Sequence, residues 1–164
     1  MNNILTECGW FRINALYKKS WERKELITLE WVDQQLVGTF AQSLNFKEYE
    51  FIHQSLVIII EQLDATFDDS KCSLGYLQDG SEARIITNWI HWEKFLTAAK
   101  LKSLEGKKVA IFGENEELLL EGLLVDYETD PLKEIFTIIS ASVITLFGER
   151  NTTGANLKIE AVYE

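Results

Sequence analysis

The side chains of this chain that could do chemistry are mostly carboxylates, and two groups of them are dense. Carboxylates perform general acid or base catalysis when one lies in an apolar pocket that raises its pKa, and a sequence does not show such burial. On an open surface the same groups attract a basic partner. We expect partner binding here, against the alternative of ordinary solvated loop acids. The groups occupy successive turns of a predicted sheet: Glu114, Glu116 and Glu117, then Asp126, Glu128, Asp130 and Glu134.

Residues for other catalytic chemistry are scarce. The sequence has no glycine-rich phosphate loop, dinucleotide fingerprint, nucleophile elbow or paired-His zinc helix. The only histidines and cysteines are His53, His91, Cys8 and Cys72, and none lies at metal-ligand spacing. We therefore expect no enzyme activity, no metal and no cofactor. Two cysteines in a chain of this length also argue against a disulfide framework and favour the reducing cytoplasm.

The charge balance narrows the class of partner. The chain has 164 residues, of which 46% are apolar, and a formal net charge of −10. Residues 101–164 hold twelve acidic and six basic side chains, a net charge of −6. Nucleic acid is an unfavourable partner, because affinity for phosphate comes mostly from cations. The length fits one folded domain, residues 1–164.

Membrane insertion and secretion are also disfavoured. The longest strongly apolar run, Leu56–Ile60, is far shorter than the roughly 18 residues that span a bilayer. The segment Met1–Gly9 has no basic residue and no apolar core of the kind found in signal peptides. We expect a cytoplasmic protein without a membrane partner.

Two helices are predicted in the middle of the chain. Asn45 and Glu48 form a capping-box pattern, and apolar residues then recur every three or four positions, which predicts a helix over 46–66. The β-branched run Val57–Ile60 leaves a buried strand as the alternative. A second helix is predicted from Trp89 to near Leu104.

After Gly106 the pattern changes to strands rich in Val, Ile, Leu and Phe. We predict an α+β fold in which an antiparallel C-terminal β-meander packs with two or three helices. Alternate turns of a meander are expected at opposite ends of the sheet. Turns are predicted at 113–115, 129–131 and 148–154, between the strands Lys108–Phe112, Leu118–Tyr127, Ile135–Phe147 and Asn156–Tyr163.

The remaining segments give weaker patterns. Trp10–Tyr17 alternates like a strand, and Lys18–Glu25 is interpreted as a charged connector. Residues 27–44 fit either a strand or a helix, although Gly38 disfavours the helix. Short strands are predicted at Leu74–Leu77 and Ala83–Ile86, flanking a turn at Asp79 and Gly80.

Trp21 is the aromatic residue singled out for partner binding. It lies between Lys18 and Lys24 with charged residues on both sides, and tryptophan is enriched at interfaces. The alternative is an anchor that ties a loop to the core.

Several short segments of the C-terminal half carry a resemblance. In Phe112-Gly-Glu114 and Phe147-Gly-Glu-Arg150 the glycine permits a turn, with phenylalanine expected in the core and glutamate in water. With Asn88-Trp-Ile-His-Trp92 and Asn156-Leu-Lys-Ile-Glu160, these segments resemble the small acidic immunity proteins of bacterial contact-dependent or polymorphic toxin systems. The resemblance implies an antitoxin that neutralises a cognate, cationic toxin enzyme by covering its active site. The alternative is a small acidic secretion chaperone or adaptor that binds an extended client protein.

Overall fold

The computed structural model describes residues 2–7, 9–13 and 16–162. Within these ranges it contains three helices and two antiparallel four-stranded sheets, so the α+β prediction is confirmed. No helix in these ranges is both long and apolar enough to cross a bilayer. The elements are α1 (Asn2–Glu7), β1 (Phe11–Ile13), β2 (Leu16–Trp21), β3 (Lys24–Val32), β4 (Gln35–Phe40), α2 (Phe46–Leu63), α3 (Trp89–Lys102), β5 (Lys108–Phe112), β6 (Leu118–Thr129), β7 (Ile138–Thr145) and β8 (Gly148–Ala161).

The chain divides into two compact units. The first unit comprises Met1–Tyr76 and Glu82–Trp89, and the second comprises Leu77–Ser81 and Ile90–Glu164. The single-domain organisation expected from the length stays a prediction.

The sheet of the first unit has the strand order β1-β2-β3-β4, and each neighbouring pair is antiparallel. Two tight turns set its register, Glu22-Arg23 and Asp33-Gln34, with all four residues at positive φ as two-residue hairpin turns require. Lys18–Glu25 is therefore not a connector, because all but its two turn residues belong to strands. Residues 27–40 form strands rather than a helix, which decides between the two alternatives.

Helix α2 begins with the predicted capping box. The Asn45 side chain accepts a hydrogen bond from the Glu48 backbone, and the Glu48 carboxylate accepts one from the Asn45 backbone. The same carboxylate forms an ion pair of 2.9 Å with Lys24. The helix ends at Leu63, short of the predicted Thr66, because Asp64 adopts a left-handed conformation and donates its N–H back to the last turn.

The segment between α2 and α3 contains no strand, contrary to the two predicted at Leu74–Leu77 and Ala83–Ile86. Only the isolated bridge between Tyr76 and Glu82 forms there. Side chains supply much of the hydrogen bonding instead. The Asn88 side chain accepts from Arg84 N and donates to Glu82 O, which holds this backbone outside a sheet.

The second unit is built on a closed sheet of β5-β6-β7-β8, all neighbours antiparallel, which confirms the predicted C-terminal strands as a class. Three boundaries of β6 and β7 were wrong: β6 runs past Tyr127 to Thr129, β7 begins at Ile138 rather than Ile135, and β7 ends at Thr145 rather than Phe147. Tyr163, the predicted end of the last strand, lies outside the described residues.

Strand β8 differs most from the prediction. It starts at Gly148, so the predicted break at 148–154 is part of a strand, and the connection from β7 is the short turn Leu146-Phe147. The first part of β8 pairs with β7 as far as Leu157, and the part from Lys158 pairs with β5. A bulge around Gly154 shifts the register between Ser140 and Ile138.

The predicted packing of helix against sheet is present within the second unit. Leu101 at the end of α3 and Leu104 just after it are buried in one cluster with side chains from all four strands. Apolar burial of this kind is the main stabilising contribution to such a unit. The strand residues of this core are Val109, Ile111, Leu124, Ile138, Ala141, Val143, Leu157 and Ile159.

Candidate functional site

The first acidic group lies on the tight loop between β5 and β6. Backbone bonds from Gly113 N to Glu117 O and from Glu116 N to Gly113 O close this loop. The Glu117 carboxylate also accepts a hydrogen bond of 3.0 Å from Asn115 N. All three glutamates of the group are exposed, so the loop holds three carboxylates in water: Glu114, Glu116 and Glu117.

The second acidic group is divided between a strand and a loop. Asp126 and Glu128 were predicted in a turn but lie on β6, because β-bulges at Val125 and near Thr129 let the strand continue. Asp130 and Glu134 lie in the loop before β7. Asp130 accepts a hydrogen bond from Leu132 N at 3.0 Å, which orders the start of that loop.

None of these seven carboxylates forms an ion pair with another side chain in the described part of the chain. Other acidic side chains do form ion pairs: Glu25 pairs with Lys18 at 2.7 Å, and Glu121 pairs with Lys108 at 3.0 Å. The seven therefore present negative charge that no contacting cation neutralises, and like charges close together repel one another.

The pairing register brings the two acidic segments to one stretch of β8. Phe112, just before the first loop, pairs with Lys158, and Ile138, just after the second, pairs with Leu157. Paired Cα atoms are about 5 Å apart and sequential ones 3.8 Å, so Phe112 and Ile138 lie within about 15 Å. The expectation that the two turns lie at opposite ends of the sheet was wrong, because β8 changes partner from β7 to β5 between Leu157 and Lys158.

Lys158 is the cation at the junction where β8 changes partner from β7 to β5. A hydrogen bond to the Glu160 carboxylate, at 2.7 Å, raises the pKa of Lys158, and the negative charge of Glu116 raises it further. The lysine is thus shared among neighbouring acids and does not neutralise the loops. The surface around the junction remains acidic.

Trp21 lies in the first unit, at the end of β2. Its ring is half-buried and stacks on Phe51 of α2, with ring centroids 5.7 Å apart and planes inclined by 21°. This contact favours the anchor role over an exposed partner-binding role, because a stacked aromatic pair stabilises the packing of the end of β2 onto α2.

The histidines and Cys72 form no catalytic arrangement among the described residues. His53 Nδ1 lies 2.6 Å from Ile85 O, and its ring stacks on Trp89 at 4.7 Å. Burial raises the pKa of the Cys72 thiol, the opposite of an activated nucleophile. Across the described ranges, no group of three His, Cys, Asp or Glu side chains is placed to hold a metal ion, and Cys8 lies outside those ranges.

An apolar groove beside the β7–β8 turn was not predicted from the sequence. The groove has a volume of about 740 Å³ and is lined by apolar side chains of β6, β7 and the turn. Phe147 was expected in the core but is 85% exposed, because β7 and β8 continue beyond the packed part of the sheet before they turn. The only available signal was the pair of large apolar residues directly before Gly148. The apolar lining residues are Leu120, Leu123, Ile144, Leu146 and Phe147.

Comparison with family models, curated proteins and solved structures finds no match for this chain.

Proposed function

We propose that this chain is a cytoplasmic bacterial immunity protein that binds a cognate, cationic toxin enzyme and blocks its active site. The observation that supports the proposal is a set of seven carboxylates, six exposed and Asp130 partly buried, that form no ion pair among the described residues. They are carried by two adjoining segments of the closed sheet. In this role the chain needs no catalytic activity, metal or cofactor of its own.

The physical reason is charge complementarity. Enzymes that act on nucleic acid have cationic active-site grooves, because they must hold phosphate. An acidic surface steers such an enzyme into encounter and occupies the place of the phosphates. Mutual repulsion among the carboxylates is relieved when the partner's cations arrive. A few buried apolar or aromatic residues then determine how slowly the complex dissociates.

The test uses the catalytic domain of the toxin encoded beside the gene of this chain. Association rates are measured by stopped flow for wild type, for Asp126→Asn/Glu128→Gln/Asp130→Asn and for Glu114→Gln/Glu116→Gln/Glu117→Gln. The amides keep acceptor oxygens for the loop hydrogen bonds. The control is Glu22→Gln/Glu30→Gln/Glu61→Gln, which removes three exposed charges of the first unit that form no ion pair among the described residues.

The expected change follows from the charge lost. A pair of charges about 10 Å apart in water interacts with about 0.4 kcal/mol, so three carboxylates slow association about eightfold at low salt. At 0.15 M salt the screening length of about 8 Å reduces this to about twofold. Equal rates for both acidic triple variants and wild type, together with an inhibited toxin, would remove the acidic surface from the proposal. A toxin whose activity is unaffected by wild type would refute the immunity function.

The secretion chaperone or adaptor is the second candidate, and the apolar groove favours it. An extended client can lay its apolar side chains into such a groove, and affinity then depends on buried area rather than on charge. Binding of an unfolded client that is insensitive to salt and lost in Ile144→Ser would support this alternative over the immunity function.

A further inference from the structure

The turn between β7 and β8 displays apolar side chains, where two other short hairpin turns in the described part of the chain display polar ones. Glu22-Arg23 and Asp33-Gln34 are the tips of the β2–β3 and β3–β4 hairpins. At the β7–β8 tip, Leu146 is 99% exposed and Phe147 is 85% exposed. Turns favour Gly, Asn, Asp and Ser for conformational reasons that neither Leu nor Phe satisfies. Local turn chemistry therefore does not account for these two residues.

The backbone of this turn is fixed. The Thr145 hydroxyl donates to Gly148 O at 2.9 Å and accepts from Phe147 N at 3.1 Å. Gly148 has a φ of 95°, the conformation that closes this type of hairpin and that glycine adopts without strain. Because this backbone is already ordered, binding through the Leu146 and Phe147 side chains costs little backbone entropy.

The groove that can receive such side chains lies beside the turn itself. Leu123 of β6 and Ile144 of β7 are directly paired and both are exposed. With Leu120 they line the groove of about 740 Å³, which is within the size range of pockets that bury small apolar groups. A projecting apolar turn and an adjacent apolar groove on one surface form a self-complementary pair.

The charges that line this groove nearly cancel, although the chain as a whole carries −10. Lys108 and Glu121 form an ion pair of 3.0 Å, which leaves the single positive charge of Arg150 at the groove. The Arg150 guanidinium has no ion pair in the described part of the chain. Two copies of an acidic protein repel each other least through a nearly neutral surface, where rim charges of both signs can pair across a twofold axis.

We propose that this surface is a twofold interface between two copies of the chain. Each Leu146-Phe147 turn enters the groove of the other copy, and each Arg150 meets Glu121 at the groove of the other copy. Twofold interfaces bring the same patch of both copies together, which is what an adjacent turn and groove require. The interface contains none of the seven carboxylates assigned to toxin binding, so either proposal can fail without the other.

The oligomeric state of the full chain tests this interface by sedimentation equilibrium. Wild type is expected to dimerise, and Leu146→Ser/Phe147→Ser is expected to raise the dissociation constant at least about 30-fold, the factor for one lost interface hot spot. The matched control is Leu132→Ser, because Leu132 is 92% exposed but lies on the β6–β7 loop away from the groove residues in sequence. Both variants should keep the unfolding midpoint of the wild-type monomer, measured at a chain concentration below the dimer dissociation constant, since the replaced side chains are exposed in the monomer.

A charge-reversal variant provides a second, independent test of the interface. Arg150→Glu changes the net charge of the groove lining from +1 to −1 and should raise the dimer dissociation constant about tenfold, less at high salt. Lys133→Glu makes the same change of charge on the β6–β7 loop and should leave dimerisation within about twofold of wild type.

Three results would overturn the interface. The first is a wild-type chain that stays monomeric up to about 1 mM, the weak end of specific association. The second is a dimer that neither the turn variant nor Arg150→Glu weakens. The third is a monomer that binds neutral phosphatidylcholine vesicles through Leu146 and Phe147, which would assign the turn to a lipid surface.

Discussion

Asp69 joins two distant parts of the first unit through one carboxylate. It accepts hydrogen bonds from Ile86 N at 2.8 Å, Thr87 N at 2.9 Å and Thr87 Oγ1 at 2.6 Å, across 17 and 18 residues of sequence. Asp69→Ala leaves three donors without this acceptor. A hydrogen bond contributes about 1 kcal/mol net, and water replaces part of that at a half-buried site. We expect the free energy of unfolding to fall by about 2 kcal/mol.

The loss should depend on pH. Burial raises the pKa of Asp69, but the hydrogen bonds from Thr87 and Ile86 outweigh it and hold the pKa below the usual range. The folded state therefore binds this proton more weakly than the unfolded chain does. The stabilisation is complete above the ordinary aspartate pKa of about 3.9 and is lost as the pH falls through the lower folded value. Asp69→Asn should differ from wild type more at pH ~7 than at pH ~3.

Urea unfolding followed by tryptophan fluorescence measures both effects. Asp68→Ala is the matched control, because Asp68 is the exposed neighbour and its hydrogen bonds, within the described residues, come only from the backbone and side chain of Ser70. A loss for Asp69→Ala no larger than that for Asp68→Ala would refute the structural role of Asp69. A gap between Asp69→Asn and wild type that stays constant with pH would refute the assigned pKa direction.

Two further predictions concern the local geometry of the units. Asn45→Ala removes the acceptor of the α2 capping box and should lower the free energy of unfolding by about 1 kcal/mol in the same urea assay, whereas Asn45→Asp should keep most of it. Gly122→Ala places a Cβ 2.5 Å from Ile144 O, and the required backbone shift should cost about 1–3 kcal/mol. Gly38→Ala, whose nearest contact is a Leu29 methyl at 3.2 Å, should cost less, and equal losses would show that β6 and β7 separate easily.

The parts of the fold that were predictable from sequence are those fixed by neighbouring residues. Asn45 and Glu48 are three positions apart, and their capping box is visible in the sequence and present in the structure. Residues 27–44 were undecided because Leu29 and Trp31 satisfy a strand period while Leu29 and Val32 satisfy a helical one. Pairing with β2 on one side and β4 on the other decides the outcome, and that pairing is not local.

The candidate site likewise combines features visible in the sequence with features set by non-local strand pairing. The acidic residues are visible in the sequence, but their lack of contacting cations and the meeting of both segments at Leu157 and Lys158 depend on the register of β8. That register follows from a bulge around Gly154, which a list of strand-forming residues does not reveal. The exposure of Phe147 was also hidden, because an apolar residue at the end of an apolar run looks like core.

Ionic strength distinguishes the proposed toxin-binding surface from the proposed dimer interface, since binding at the two surfaces should respond to salt in opposite ways. Attraction between the seven carboxylates and a cationic toxin weakens as ionic strength rises, because exposed charges are screened beyond about 8 Å at 0.15 M. Repulsion between two chains of charge −10 is screened by the same ions, while burial of Leu146 and Phe147 is not. Raising the salt from low to physiological concentration should therefore slow toxin association and strengthen the dimer. Effects of the same sign on both would show that one surface serves both kinds of binding.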